Sequence, residues 1–192
     1  MTETTFGVDS VKTSNLPAAG VYAVDASHST IGFVARHLVA AKVRGRFTDF
    51  AGTITIGDSA EISKVEAVVQ AASITTDNEM RDGHLKTSDF LDLENFPTLA
   101  LASTKVSAKG GDYELVADLT LHGVTKSVAF NLEFLGAGPS MAPGVSVVGF
   151  EARAEIDRRD FGINFGGALE NGSLIVGNKL IIEIAIEAAS QA

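Results

Sequence analysis

The residues able to do chemistry are few and scattered. The four histidines are His28, His37, His84 and His122, and no two stand at a metal-ligand spacing such as His-x-x-x-His. Cysteine is absent, which excludes disulfides, thiolate nucleophiles and cysteine-held metals. A metal would need distant residues to converge, and none is assigned. Asp25, His28 and Ser29 have the residue types of a nucleophilic triad. Neighbouring residues on a strand point to opposite faces, so His28 and Ser29 would not meet as base and nucleophile. A turn held by side-chain hydrogen bonds is the better account. His122 stands before Gly123 and reads as structural. No catalytic residue is assigned.

The densest group of polar and aromatic residues is NEMRDGHLKTSDFLDLENFP, residues 78–97. It contains Arg81, Asp82, His84, Phe90 and Phe96. Thr76 and Glu79 resemble a capping box, which predicts a short helix from residue 77 to about 85. Arg81 and His84 would then share a face. Pro97 ends the segment, because the residue before a proline is pushed to extended geometry. Two readings are open for Arg81, Asp82 and His84. The default is a polar network that staples the helix to the fold; the other is recognition of a polar ligand group. Phe90 and Phe96 are expected to form the apolar underside of a lid.

Two further groups are charged. Lys42, Arg44 and Arg46, with Arg36 nearby, read by default as a solvated strand face, and otherwise as a phosphate or anionic-lipid contact. Arg158, Arg159, Asp160, Phe161 and Gly162 read as a salt-bridged turn. Asn171-Gly172-Ser173 matches a glycosylation sequon and equally an Asn-Gly turn.

The elements that must position these residues alternate with a period of two, the signature of strands with one wet face. Ile31, Phe33, Ala35 and His37 share a face, so His37 is expected to point inward, by default as a hydrogen-bonded core residue. Val65, Ala67, Val69 and Ala71 oppose Glu66 and Gln70. Leu115, Ala117, Leu119 and Leu121 oppose Glu114, Asp118 and Thr120. Residues 128–134, 148–157 and 180–187 repeat the pattern. Further strands are expected at 22–25, 46–56 and 99–106, with turns at Gly57-Asp58, 109–112, His122-Gly123 and 136–144. About eight or nine amphipathic strands with short connections predict an antiparallel barrel or sandwich. No strand–helix alternation points to a doubly wound sheet.

The chain of 192 residues fits one domain, with 45% hydrophobic and 20% charged residues. Residues 1–19 read as a mobile arm and residues 20–190 as a single barrel domain. A net charge of −9 argues against nucleic acid as a partner. No stretch approaches the roughly 18–20 apolar residues of a membrane-spanning helix. The start has neither a basic region nor an apolar run, so a cytoplasmic location is expected, with export as the alternative for a processed form. Several inward positions are small (Ala35, Ala67, Ala71, Ala117, Ala152 and Ala154), while many phenylalanines fall in connections. Small walls with an aromatic rim predict a hollow barrel able to hold a ligand.

An ordered set of short motifs carries a family resemblance. Tyr22-x-x-Asp25-x-x-His28-Ser29 leads into Ile31-Gly32-Phe33 and His37. Gly45-x-Phe47, Phe50-x-Gly52, Arg81-Asp82-x-His84-Leu85, Asp89-Phe90 and Phe96-Pro97 follow. Residues 119–126, LTLHGVTK, and Arg159-x-Phe161-Gly162 complete it. From about residue 20 to 188 the chain resembles the YceI-like family. That resemblance implies a lipocalin-like, extended eight-stranded antiparallel barrel with a hydrophobic channel for polyisoprenoid or other long amphiphilic lipids. It brings no catalytic residues and no cofactor beyond the lipid ligand.

Joined to the parity argument, the resemblance makes Phe33, His37, Phe47, Phe50, Arg81, His84, Phe90, Phe96, Ala117 and Ala152 the expected ligand-binding residues. The expected role is non-catalytic binding, storage or transport, and a homodimer is permitted. The alternatives are a lipid-modifying enzyme using His37 or His84, and an acidic protein-interaction module.

Overall fold

The computed structural model describes residues 16–38, 41–167 and 175–191. Eleven strand segments form one antiparallel sheet. They are β1 (Gly20–Val24), β2 (Thr30–His37), β3 (Ala41–Phe47), β4 (Phe50–Ile56), β5 (Lys64–Gln70), β6 (Ile74–Thr75), β7 (Thr98–Lys109), β8 (Asp112–Leu121), β9 (Val124–Pro139), β10 (Ser146–Asp157) and β11 (Val176–Ser190). Among the described residues one α-helix, α1 (Glu79–Leu85), interrupts them.

Six of these segments are halves of three bent strands. β11 pairs with β2 along residues 176–185 and with β1 along 188–190, on the same edge. β4 pairs with β1 while β3 pairs with β2. β5 pairs with β4 while β6 pairs with β3. Counting each bent strand once, eight strands run up and down in chain order, and the β1–β11 pairing closes the ring. The result is the expected eight-stranded antiparallel barrel, and closure leaves few strand edges exposed.

The bends have different origins. Between β1 and β2 the Ser29 hydroxyl replaces backbone, donating to the Glu187 carbonyl at 3.2 Å and accepting from the Glu187 amide at 3.0 Å. Asp25 N–H also donates to that carbonyl, at 2.9 Å. Between β3 and β4 the ladder breaks at Thr48-Asp49, so the single strand expected over 46–56 is two. Between β5 and β6 a short 3-10 helix (Ala71–Ser73) turns the chain. β9 continues through Pro139 into the span expected as a turn, and the chain reverses at residues 140–145 instead. The His122-Gly123 turn is as expected, with φ of 52° and 71°, the positive pair that a two-residue hairpin requires.

The alternation read from the sequence sets the core. Leu115, Ala117, Leu119 and Leu121 of β8 are buried inside, as are Val148, Phe150, Ala152, Ala154 and Ile156 of β10. Glu151, Arg153 and Glu155 stand outside. Burying each large apolar side chain contributes about 1.5–3 kcal/mol. One rim, the lid rim, carries α1, the His122-Gly123 turn and a 3-10 helix (Arg158–Phe161). The opposite rim carries Gly20 and the β7–β8 and β9–β10 turns.

Candidate functional site

A cavity of about 250 Å³ lies inside the barrel. Phe33, Phe47, Phe50 and Ala152 supply its walls, with Leu119 of β8 and Ile182 of β11. Leu85 and Phe90 cover it from the lid rim, and Leu16 lines it from the N-terminal segment. The wall is apolar because sheet pairing engages the strand amides and carbonyls, leaving side chains from one face of each strand to make the surface.

The lid is fixed by a compact polar network. The cap of α1 is Asn78, whose Oδ1 accepts from Arg81 N–H at 3.0 Å. Thr76, expected as the cap, is engaged elsewhere: its N–H donates to Asp82 Oδ1 at 2.8 Å, as does its hydroxyl. Thr75 donates to the other oxygen at 3.1 Å. Burial pushes the Asp82 carboxyl up, but the bonds from Thr76 and Thr75 together outweigh it and hold the group below its ordinary value. Arg81 donates from Nε to Thr76 Oγ1 at 2.6 Å and from Nη2 to Thr76 O at 2.9 Å. These two residues follow the staple reading.

Aromatic contacts join the lid to the rest of the rim. The His84 ring lies edge-on to Phe90 at 5.1 Å and to Phe165 at 4.8 Å, and Phe90 and Phe165 are 4.8 Å apart. His84 Nε2 also pairs with Asp89 at 2.7 Å. Phe96 covers Gly123, where an added Cβ would lie 2.3 Å from its Cε1, and its ring is 4.8 Å from that of His122. His122 Nδ1 lies 3.1 Å from the Phe161 carbonyl oxygen, the structural role expected of it.

Of the ten residues expected at the ligand, Phe33, Phe47, Phe50, Phe90 and Ala152 line the cavity. The other five do not. His37 keeps the parity of Phe33 but is the last residue of β2, past a shift in the pairing with β11, and is exposed rather than inward. Arg81 and His84 lie on exposed parts of the lid. Phe96 is taken up by the Gly123 turn. Ala117 is wholly buried in packed core.

The basic cluster divides: Arg44 pairs with Glu183 at 2.7 Å and Arg46 with Asp77 at 3.0 Å, while Arg36 and Lys42 stay solvated. Glu183 also holds Arg153 at 2.7 Å. Asn171-Gly172-Ser173 lies outside the described residues, as do residues 1–15 of the arm.

Three features were missed. Arg158 is 3% exposed and donates to the carbonyls of Gly177 (3.1 Å), Ile163 (2.8 Å) and Val176 (3.3 Å) and to Asn178 Oδ1 (3.0 Å). Burial pushes its pKa down, against the pull of Asp157. The ion pair of the turn belongs instead to Arg159, whose hydrogen bonds hold the Asp157 carboxyl at about 2. Strand parity was the signal available, since position 158 continues the inward series of 152, 154 and 156. The second feature is the end of the arm: Pro17 is buried, and Tyr22 donates to Ala18 O at 2.8 Å. The third is Glu187, which joins the bend expected at Asp25 and His28. His28 Nδ1 lies 2.8 Å from Asp25 and 3.9 Å from Glu187. These side chains are of cation-holding types, with ligand atoms within 4.8 Å of one another; here that ring nitrogen is engaged by Asp25.

Known proteins share this architecture. A UPF0312 protein of Staphylococcus aureus strain MSSA476 is 34% identical over 168 residues, covering 86% of this chain and 95% of its own. The crystal structure of a Campylobacter jejuni YCEI protein superposes with a TM-score of 0.68 at 25% identity, covering 82% of this chain and 90% of its own. Burkholderia cenocepacia BcnA superposes with a TM-score of 0.68 at 18% identity, over 85% and 98% of the two chains. A polyisoprenoid binding domain from Saccharophagus degradans gives 0.64 at 17%, over 88% and 98%. The last two likenesses concern the fold alone. Residues 22–188 match the YceI-like domain, and with the closed barrel and the curated relatives this places the chain in the YceI-like family.

Proposed function

We propose that the barrel binds a polyisoprenoid or similar long-chain amphiphile in its cavity and stores or carries it without chemical change. The observation that carries this reading is the apolar cavity running beneath Phe90 and reaching Leu16. The polyisoprenoid-binding description of the Saccharophagus degradans domain supports the ligand class. Each buried CH₂ is worth about 0.8 kcal/mol, so a five-carbon isoprene unit contributes at most ~3–4 kcal/mol. Association costs on the order of 4–15 kcal/mol. Several units must be enclosed before binding is tight, so the reading calls for a chain that extends through the interior from Phe90 toward Leu16. A charged head group belongs outside the apolar wall, where water still solvates it.

The lipid-modifying alternative needs titratable side chains converging on a ligand atom. His84 is engaged by Asp89 and His37 is exposed off the cavity, so neither favours it. The test is extraction of the purified protein with organic solvent, followed by mass spectrometry. Recovery of a long-chain amphiphile is expected, and it should return unchanged after incubation with the protein. No such lipid, together with no saturable uptake of a prenyl probe, would sink the proposal.

A further inference from the structure

The lid rim carries apolar surface that faces outward. Leu38 is 41% exposed, Ile175 36% and Phe165 37%. They are tied together: Leu38 N–H donates to the Ile175 carbonyl at 3.0 Å, and Ile175 N–H donates to that of Gly167 at 3.0 Å. Phe165 stands two residues before Gly167, and its ring is 4.8 Å from that of Phe90, which lines the cavity. The patch is therefore continuous with the cavity wall.

Two observations set it apart from the isolated exposed apolar residues of any surface. Leu38 has a φ of 52°, a left-handed conformation that residues with a Cβ avoid. The strain is held at a leucine that gains little burial in return, and strain of this kind gathers at functional sites. Arg36 and Lys42 are direct cross-strand partners beside it, both exposed. Like charges so placed repel, and among the described residues neither has an ion-pair partner. In a protein of net charge −9, two exposed cations flank an apolar tip.

We propose that this surface docks the barrel on a lipid bilayer. Leu38, Ile175 and Phe165 enter the acyl boundary, while Arg36 and Lys42 meet anionic head groups. Interfacial attachment grows with the apolar area inserted and with attraction to anionic lipid. The lid beside it exposes Asp77, Glu79, Asp89 and Glu94, so the apolar tip with Arg36 and Lys42, rather than the whole rim, makes the contact. The proposal rests on the lipid-binding reading above, because it supplies the place where ligand is exchanged.

Flotation with phosphatidylcholine vesicles, with and without phosphatidylglycerol, tests it. Wild type should float with the mixed vesicles. Leu38→Glu and Ile175→Glu should each weaken that partition by at least about tenfold. Met141→Glu makes the same charge change at a fully exposed residue of the opposite rim and should leave it unaltered. Arg36→Ala with Lys42→Ala should reduce binding to the mixed vesicles only. Uptake of a prenyl probe supplied from solution reads the cavity separately, and Leu38→Glu should retain it. If wild type ignores both vesicles, or Leu38→Glu floats as wild type does, the docking proposal is overturned while lipid binding stands. If wild type takes up no probe, lipid binding fails whatever the vesicles show.

Discussion

The ring of Phe33 occupies the space over Gly45, its partner across β2 and β3: a Cβ on Gly45 would lie 2.4 Å from Phe33 Cζ. Gly45 is buried and its backbone is ordinary strand, so what requires glycine is the ring above it. That ring lines the cavity. Gly45→Ala should push Phe33 aside and cost about 1–3 kcal/mol through overpacking. Urea denaturation should show a lowered midpoint, and prenyl-probe affinity should change with it. An unaltered midpoint would mean that Phe33 moves freely and does not shape the wall.

Ala152 and Ala117 separate cavity from core. Ala152 faces the cavity between its cross-strand partners Leu132 and Ile184, which also line it. Ala152→Phe should fill empty volume and lower saturable lipid uptake by at least about tenfold, with a modest change in melting temperature. Ala117 is wholly buried and does not line the cavity, so Ala117→Phe should cost about 1–3 kcal/mol or more in overpacking. Equal effects of the two on uptake and on stability would place both in the same environment.

The barrel was legible in the sequence because one face of each strand is buried, and burial imposes a strict period of two on β8 and β10. Phe33 was legible for the same reason; Phe47 and Phe50 were expected in connections and reached through the family motifs, and they stand instead at the end of β3 and the start of β4. What failed was parity at strand ends. His37 continues the inward series in sequence, but the rim ends beneath it. Arg158 continues the series of β10 with a residue type that reads as surface, and so passed for half of a salt bridge. The bends depend on contacts between distant residues: Ser29 meets Glu187 only after the ring closes, which no local pattern encodes.

Arg158 closes the lid rim with neutral acceptors. Removing it would leave three backbone carbonyls without their donor, each costing roughly 1–3 kcal/mol when buried and unmet. Water entering the rim offsets part of that, so Arg158→Leu should lower stability by about 2–5 kcal/mol. Hydrogen exchange should accelerate at 162–167 and 176–178 before the rest of the barrel. Arg158→Lys should not rescue it, since one ammonium cannot reach acceptors that a planar fork meets together. Full rescue by lysine would show that only charge matters there.

The bend at Asp25 and His28 should make stability depend on pH. Hydrogen bonds from Ser27, and then from His28, draw the Asp25 carboxyl below its ordinary value. His28 is raised from 6.5, chiefly by its bond to Asp25, with Glu187 adding attraction. The contribution of His28 is complete below 6.5 and is lost as pH climbs through its raised folded value. That of Asp25 is complete above 3.8 and is lost as pH falls through its depressed folded value. Both act together between about pH 4 and 6.5. His28→Gln should therefore lower the melting temperature most within that window, and the gap should narrow in mildly alkaline buffer. Both side chains are solvent-exposed, so high salt should shrink the gap as well. Melting curves of the two proteins across pH decide it: a gap that stays constant from acid to alkali would show that His28 acts through shape alone.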